Sequence, residues 1–320
     1  QTLTGNSKLI TCTNFSSDGK FLVSASEYES VIRIWNVKDG TCVDSIDSEE
    51  KGIKEARLSS NGKYLVSIAP QIYMLWDVKS KALLYKKKSP RYVSVKSMAI
   101  SPNNRLFAIA YNNGLIELCN LNSGKLIHSF TGHNDRVDKI TFSPNNRYLS
   151  STSADGTIRV WDVNNGECVK LFKAHNKWGY FVSFSHNGEK IVSAGVDEEI
   201  CICDINTNEV ITFKGERGSN FNSVFFSPDD KRLLLSTMNI VYLLDTYSGK
   251  VLHKIRKNSL SGYIQTAEFC PNGNILIVGT DYFGLYGEFP SYQKLIDETQ
   301  ERFKANPLTP EERKFYLEYD

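Results

Sequence analysis

The 320-residue sequence predicts an all-β fold: a seven-bladed β-propeller of four-stranded antiparallel blades, followed by a short helical tail. Three observations predict it. An apolar residue followed by Ser or Cys and a polar turn recurs at Phe15, Leu58, Ile100, Phe142, Phe184, Phe226 and Phe269, at steps of 42 or 43 residues. Self-similarity in that range marks a propeller rather than a string of unrelated strands. About 18 to 20 residues after most anchors a strand ends in a large or apolar residue plus a polar one, as in Trp35-Asn36, Trp76-Asp77, Cys119-Asn120, Trp161-Asp162, Cys203-Asp204 and Leu244-Asp245. Finally, no helical periodicity appears before about residue 291.

Residues 142–162, FSPNNRYLSSTSADGTIRVWD, display the unit. A first strand ends at Phe142, Ser143 to Asn146 turn the chain, a second strand runs to about Thr152, and a third covers 157–161. Between them Asp155-Gly156 reads as a tight hairpin turn with both residues at positive φ. Outer strands follow at 41–46, 125–130, 167–172 and 250–255, each after a polar turn that often ends in Gly. The N-terminal QTLTG lines up with HSFTG ahead of the fourth repeat, while the seventh repeat loses its pattern after Tyr286. Residues 1–4 are therefore expected to close the last blade and remove an open sheet edge. The propeller would occupy residues 1–290 and the tail 291–320, where Leu295, Ile296, Thr299 and Phe303 share a helical face. A second helix is expected to start at Thr309, with Pro310 first in the helix and Glu312 completing a capping box.

A formal charge of +2 with 41% hydrophobic residues is ordinary for a globular domain and carries no footprint for nucleic acid. Apolar runs fall far short of the roughly 20 residues that cross a bilayer, so no membrane partner is expected. The seven cysteines lack a disulfide-framework spacing and mostly replace apolar strand residues. They read as free, buried thiols of a reducing, cytoplasmic setting. Cys201 and Cys203 have no second pair or His at zinc spacing, so no metal is assigned. No phosphate-cradling glycine loop, HExxH helix or GxSxG elbow is present, and no cofactor is expected. Opening on Gln1 without a signal-peptide pattern, the sequence reads as a trimmed protein or as part of a longer one.

His133, Ser151 and Asp155 within one repeat invite a hydrolase reading. Ser151 falls inside a strand, however, and the Trp161 indole can serve as a last donor, which favours a structural role. Period, turn signature, Gly132-His133 and Trp161-Asp162 together resemble the WD-repeat family over residues 1 to about 289. That resemblance implies a hydrogen-bonded chain from Trp161 through Ser151 and His133 to Asp155. The next repeat has His175, Ser193 and Asp197 at the same spacing but Cys203 in the Trp position. Elsewhere Asn6, Arg91 and Pro70 interrupt the pattern, so the tetrad is expected to be absent there. The tail is similar to that of bacterial WD-repeat proteins through Leu308, Thr309, Glu311, Glu312 and Arg313.

The resemblance also implies a narrow loop face ringed by the residues six and four before each anchor. Partner-binding candidates there are Lys54, Lys96, Arg136, Asp138, Trp178, Tyr180, Asn220, Asn222 and Tyr263. Trp, Tyr and Arg dominate interface hot spots, although the same aromatic residues could serve as a cover over the core. Lys86, Lys87, Lys88 and Arg91 read as a solvated loop, with phosphate binding as the sharper alternative. The function expected is non-catalytic: a monomeric platform for a protein or peptide on its loop face, in the sensor or regulatory module of a larger bacterial signalling protein. A stand-alone scaffold for a multiprotein complex is the alternative, and a small-molecule-binding or enzymatic propeller comes third.

Overall fold

The structure, a computed structural model, describes residues 10–16, 19–216, 220–256, 264–269, 275–279 and 285–289. The chain forms a β-propeller in which each strand pairs antiparallel with its sequence neighbour. Polar turns of a few residues allow no other pairing. Six sheets have four strands, and these are called blades 1 to 6 in chain order. The expected count of seven four-stranded blades is thereby corrected. The seventh repeat contributes a three-stranded sheet, Ile264–Phe269, Ile275–Gly279 and Leu285–Phe289. Its sequence has no outer-strand pattern after Tyr286, and among the described residues no fourth strand joins it. Residues 1–4 and the tail 291–320 lie outside the described residues.

The first strand of each blade is innermost and packs beside the first strand of the next, in chain order from Ile10–Phe15 through Val137–Phe142 to Ile264–Phe269. Second and third strands are covered on both faces. Tyr64–Ala69 is buried along its whole length, which explains its apolar run without alternation. Outer strands such as Cys168–Lys173 are largely exposed. The core lies between blades rather than within them: one buried cluster joins Val23 and Ile32 of blade 1 to Leu65 and Met74 of blade 2. Another joins Ile116 and Phe130 of blade 3 to Val137 and Trp161 of blade 4. A single four-stranded sheet cannot cover its own faces, so the repeats are stable only when stacked.

Three local expectations change. Only Gly156 of the Asp155-Gly156 turn has positive φ, at 80°. Residues 154–156 form a three-residue connection, with the Gly156 amide bonded to the Ser153 carbonyl at 3.1 Å, because a glycine in the left-handed region closes such a loop and leaves Asp155 free to use its side chain. Lys86, Lys87 and Lys88 belong to the outer strand Ala82–Lys88, not to a loop. Lys86 pairs with Glu50 at 2.9 Å and Lys87 with Glu117 at 2.7 Å, so two of the three charges are spent on carboxylates. Cys119, Cys201 and Cys203 are buried, but Cys42 and Cys168 are exposed at the start of outer strands, where one face meets solvent. Cys270 lies outside the described residues.

On the turn face opposite the loop face, neighbouring blades are stapled. The residue in the left-handed conformation is Asn104, Asn146 or Asp230 in blades 3, 4 and 6. Its side chain accepts a backbone amide from the preceding blade: Ser60 at 2.6 Å, Asn103 at 2.8 Å, and both His186 and Asn187 at 2.7 and 2.9 Å. Asn and Asp tolerate this conformation and carry the acceptor that glycine lacks.

Candidate functional site

Blade 4 carries a polar chain through its interior. The Trp161 indole donates to Ser151 Oγ at 2.9 Å, Ser151 Oγ lies 2.7 Å from His133 Nε2, and His133 Nδ1 lies 2.9 Å from Asp155 Oδ2. With the indole donating to it, the Ser151 hydroxyl is free to donate to Nε2, and Nδ1–H then donates to Asp155. Asp155 also accepts from the Asn134 amide and from the amide and hydroxyl of Thr157. Burial alone would raise its carboxyl, but the bonds from His133, Thr157 and Asn134 hold it well below the usual carboxylate range. Ser151 is 0% exposed, so no substrate can reach its oxygen as a nucleophile.

In blade 5, His175 sits 2.8 Å from Ser193 Oγ and 3.1 Å from Asp197, and burial holds its imidazole below its ordinary pKa against the pull of Asp197. Cys203 in the Trp position packs into the core with Cys201, whose thiol burial pushes up to about 11. The chain expected to be absent elsewhere survives in part: Trp35 donates to Ser24 at 2.8 Å and Trp76 to Ser67 at 3.1 Å. Blade 3 substitutes a different set, in which Tyr111 Oη and Lys87 of the neighbouring blade both donate to Glu117.

These chains pin the loops that build the upper face between blades 4 and 5. Asp155 holds the Asn134 amide, and Asp197 holds that of Asn176 at 2.9 Å. The His175 amide donates to the Gly156 carbonyl at 3.0 Å. A Cβ at Gly156 would meet the His175 carbonyl at 2.5 Å, so the loops approach this closely only with glycine there. Between them opens a groove of about 560 Å³, walled by residues 154–156 and 176–178 with Val196.

Beside the groove stands the group that the sequence singled out. Arg136 Nε donates to both oxygens of Asp138 at 3.0 Å, and its guanidinium lies 4.5 Å from the Trp178 ring and 5.8 Å from that of Tyr180. Trp178 is 45% exposed despite this stacking. Burial raises the Asp138 carboxyl above its usual value, although Arg136 and Lys96 pull the other way.

The residue four before each anchor has a common backbone cause for its position. Asp138, Tyr180, Asn222, Lys96 and Thr11 are each the extra residue of a β-bulge at the head of an inner strand. In blade 2 the Lys54 amide bonds the Ile68 carbonyl at 2.8 Å, opposite the residue that already faces Glu55. A bulge re-aims its side chain away from the regular pleat, here towards the mouth of the channel. Not all of these residues are available to a partner. The Asn222 amide donates to the Ile264 carbonyl at 2.6 Å, and Thr11 donates to the Ile53 carbonyl, so both staple adjacent sheets. Asn220 is exposed, Lys54 is exposed, and Lys96 is half-buried. Tyr263 lies outside the described residues.

One constellation escaped the sequence reading. Glu55 on the blade 2 inner strand accepts from Arg57 at 2.7 Å and from Lys139 of blade 4 at 2.8 Å, and it faces the Met98 amide of blade 3 at 3.2 Å. Burial would raise the Glu55 carboxyl, but Lys139 and Arg57 outweigh it and hold the pKa at about 2. The signal was one residue further on: the positions three and one before the anchors carry Glu55, Lys139 and Arg57.

The family model described as WD domain, G-beta repeat matches residues 1–36, 124–162 and 166–204. WD40 repeats are thus present in this β-propeller, and two of the three matched stretches are those that supply the tetrad of blade 4 and its truncated copy in blade 5. Among curated proteins, the chain is similar to pre-mRNA-processing factor 19 of Bos taurus, 26% identical over 141 residues, which is 43% of this chain and 28% of that protein. It is 24% identical over 139 residues to the WD repeat domain-containing protein 83 homolog of Dictyostelium discoideum, 43% of this chain and 42% of that protein. It is 26% identical over 136 residues to the F-box-like/WD repeat-containing protein TBL1X of Mus musculus, 42% and 25% respectively. The matches span less than half of each relative. These relatives are eukaryotic, where the tail had pointed to bacterial proteins.

Proposed function

We propose that the chain is a non-catalytic interaction platform that recognises a protein, or a peptide segment of one, on its loop face at the seam of blades 4 and 5. The observation that carries this reading is Arg136, fixed by Asp138 and stacked on an exposed Trp178 beside an open groove. A pre-ordered cation and aromatic pair loses little freedom on binding and desolvates a large area. The WD repeats shared with the curated relatives support the same class of activity. Burial of Ser151 removes the hydrolase alternative its mechanism.

The platform acts as a monomeric propeller in a reducing, cytoplasmic setting, a reading supported by the buried thiols of Cys119, Cys201 and Cys203. A bacterial signalling context rests on the tail sequence alone and is not supported by the eukaryotic relatives; a scaffold within a multiprotein complex is the alternative.

The test is affinity capture with the wild type and a Trp178→Ala/Tyr180→Ala variant. Trp178 is exposed and Tyr180 half-buried, so the variant should stay folded with a loss of no more than about 2 kcal/mol of stability while its captured partner is lost. Retention of the same partner by the variant would reject the site, and turnover of a small molecule by a partnerless chain would reject the class.

A further inference from the structure

The charges around the mouth of the channel do not balance locally. Arg136 is matched by Asp138 and lies near Asp135. Deeper in, Glu55 is shared between Arg57 and Lys139. Lys54 and Lys96 stand at equivalent bulge positions of adjacent inner strands, and among the described residues neither makes an ion pair or a side-chain hydrogen bond. They are close enough to oppose each other: burial, and then the charge of Lys96, hold the Lys54 ammonium below its ordinary pKa. Lys86 on Glu50, Lys87 on Glu117 and Lys81 on Asp44 show the carboxylate pairing that these two lack. Two neighbouring cations without a salt bridge, with only Asp138, already held by Arg136, within electrostatic reach of Lys96, are a cost in the isolated chain that an incoming anion would relieve.

We infer that the partner segment is acidic: an Asp or Glu side chain seats between Lys54 and Lys96, while a neighbouring side chain of the same segment packs on Trp178. This inference rests on the loop-face reading above and names the partner's chemistry. A carboxylate fits the mouth better than a polyphosphate backbone does. Asp138 and Asp135 border the same opening and would repel a repeating anion, whereas one monoanion needs only the two lysines. Nucleic acid would also call for a basic stripe and several stacking rings, and the chain carries a net charge of only +2.

Panning a phage-displayed random dodecapeptide library on the full chain tests this. The wild type should enrich peptides bearing Asp or Glu next to a large apolar residue. Their affinity, read by fluorescence polarisation, should fall about tenfold or more in Lys54→Glu/Lys96→Glu and persist in Lys54→Arg/Lys96→Arg. It should also weaken as salt rises from about 0.05 to 0.3 M. Matched melting curves would show that the reversal leaves the fold intact. Absence of acidic enrichment, or an unchanged affinity after charge reversal, would overturn the inference. So would lysine-dependent binding of a fluorescein-labelled oligouridylate where no acidic peptide binds. Neutral peptides lost only in Trp178→Ala/Tyr180→Ala would sink the acidic partner and leave the loop face standing; peptides indifferent to all four positions would sink both.

Discussion

His133 joins three segments with one ring: Ser151 in the second strand, Asp155 in the loop after it, and its own entry into blade 4. Both of its nitrogens are used and its side chain is 0% exposed, so truncation takes one partner from the buried Ser151 hydroxyl and one from the half-buried Asp155 carboxylate and leaves a cavity between them. His133→Ala should therefore cost about 1 to 3 kcal/mol, read from the midpoint of urea unfolding. An unchanged midpoint would mean that the chain of bonds is ornamental. The tetrad was legible through the resemblance to WD repeats, whose tetrad members fall at fixed offsets within one repeat, because a hydrogen-bonded pair inside a regular blade maps onto a fixed separation along the chain. What the sequence did not disclose is the turn that frees Asp155, since the choice between a two- and a three-residue loop depends on where the strands stop pairing.

At the scale of the strand and turn, the staples decide how firmly one blade holds the next. Asp230 is the fullest case, with one oxygen on the His186 amide and the other on that of Asn187. Asp230→Gly keeps the left-handed backbone at no steric cost and removes only the acceptors. Amide hydrogen exchange at His186 and Asn187 should accelerate while the rest of blade 5 keeps its protection. If those two amides exchange as in the wild type, the staple does not couple the blades. The bulges belong to the same scale. They were not visible in the sequence, because a bulge inserts its residue without changing composition or period, yet they explain why a ring of side chains could be selected by counting back from the anchors.

Across the whole molecule, Glu55 ties blades 2, 3 and 4 together from inside the channel. Its folded pKa of about 2 lies below the unfolded value of 4.5. A depressed carboxyl contributes stability that is present above the unfolded value and is lost as pH falls towards the folded one. Glu55→Gln should therefore destabilise the chain at pH 7 by about 1 to 3 kcal/mol. The gap from wild type should then close between pH 4.5 and about 2, as the wild type loses its own charge. Thermal melts of both proteins across that range check it, and a gap independent of pH would show that the carboxylate is not the coupling group.

The sequence by itself determined the repeat, the blade and the polar chain within it, because each arises from contacts whose separation along the chain is short and recurs with the period. Even the staples sit one period apart, at separations of 43 and 44 residues. Only the tertiary structure decided what meets across the ring. Lys139 and Glu55 are 84 residues apart and skip a whole blade, a contact made possible by a long side chain that reaches past the inner strand of blade 3, whose Met98 amide faces the same carboxylate. The packing of consecutive blades sets Lys54 near Lys96 and Arg136 against Trp178, so the chemistry of the mouth is a property of neighbouring blades and not of any one of them.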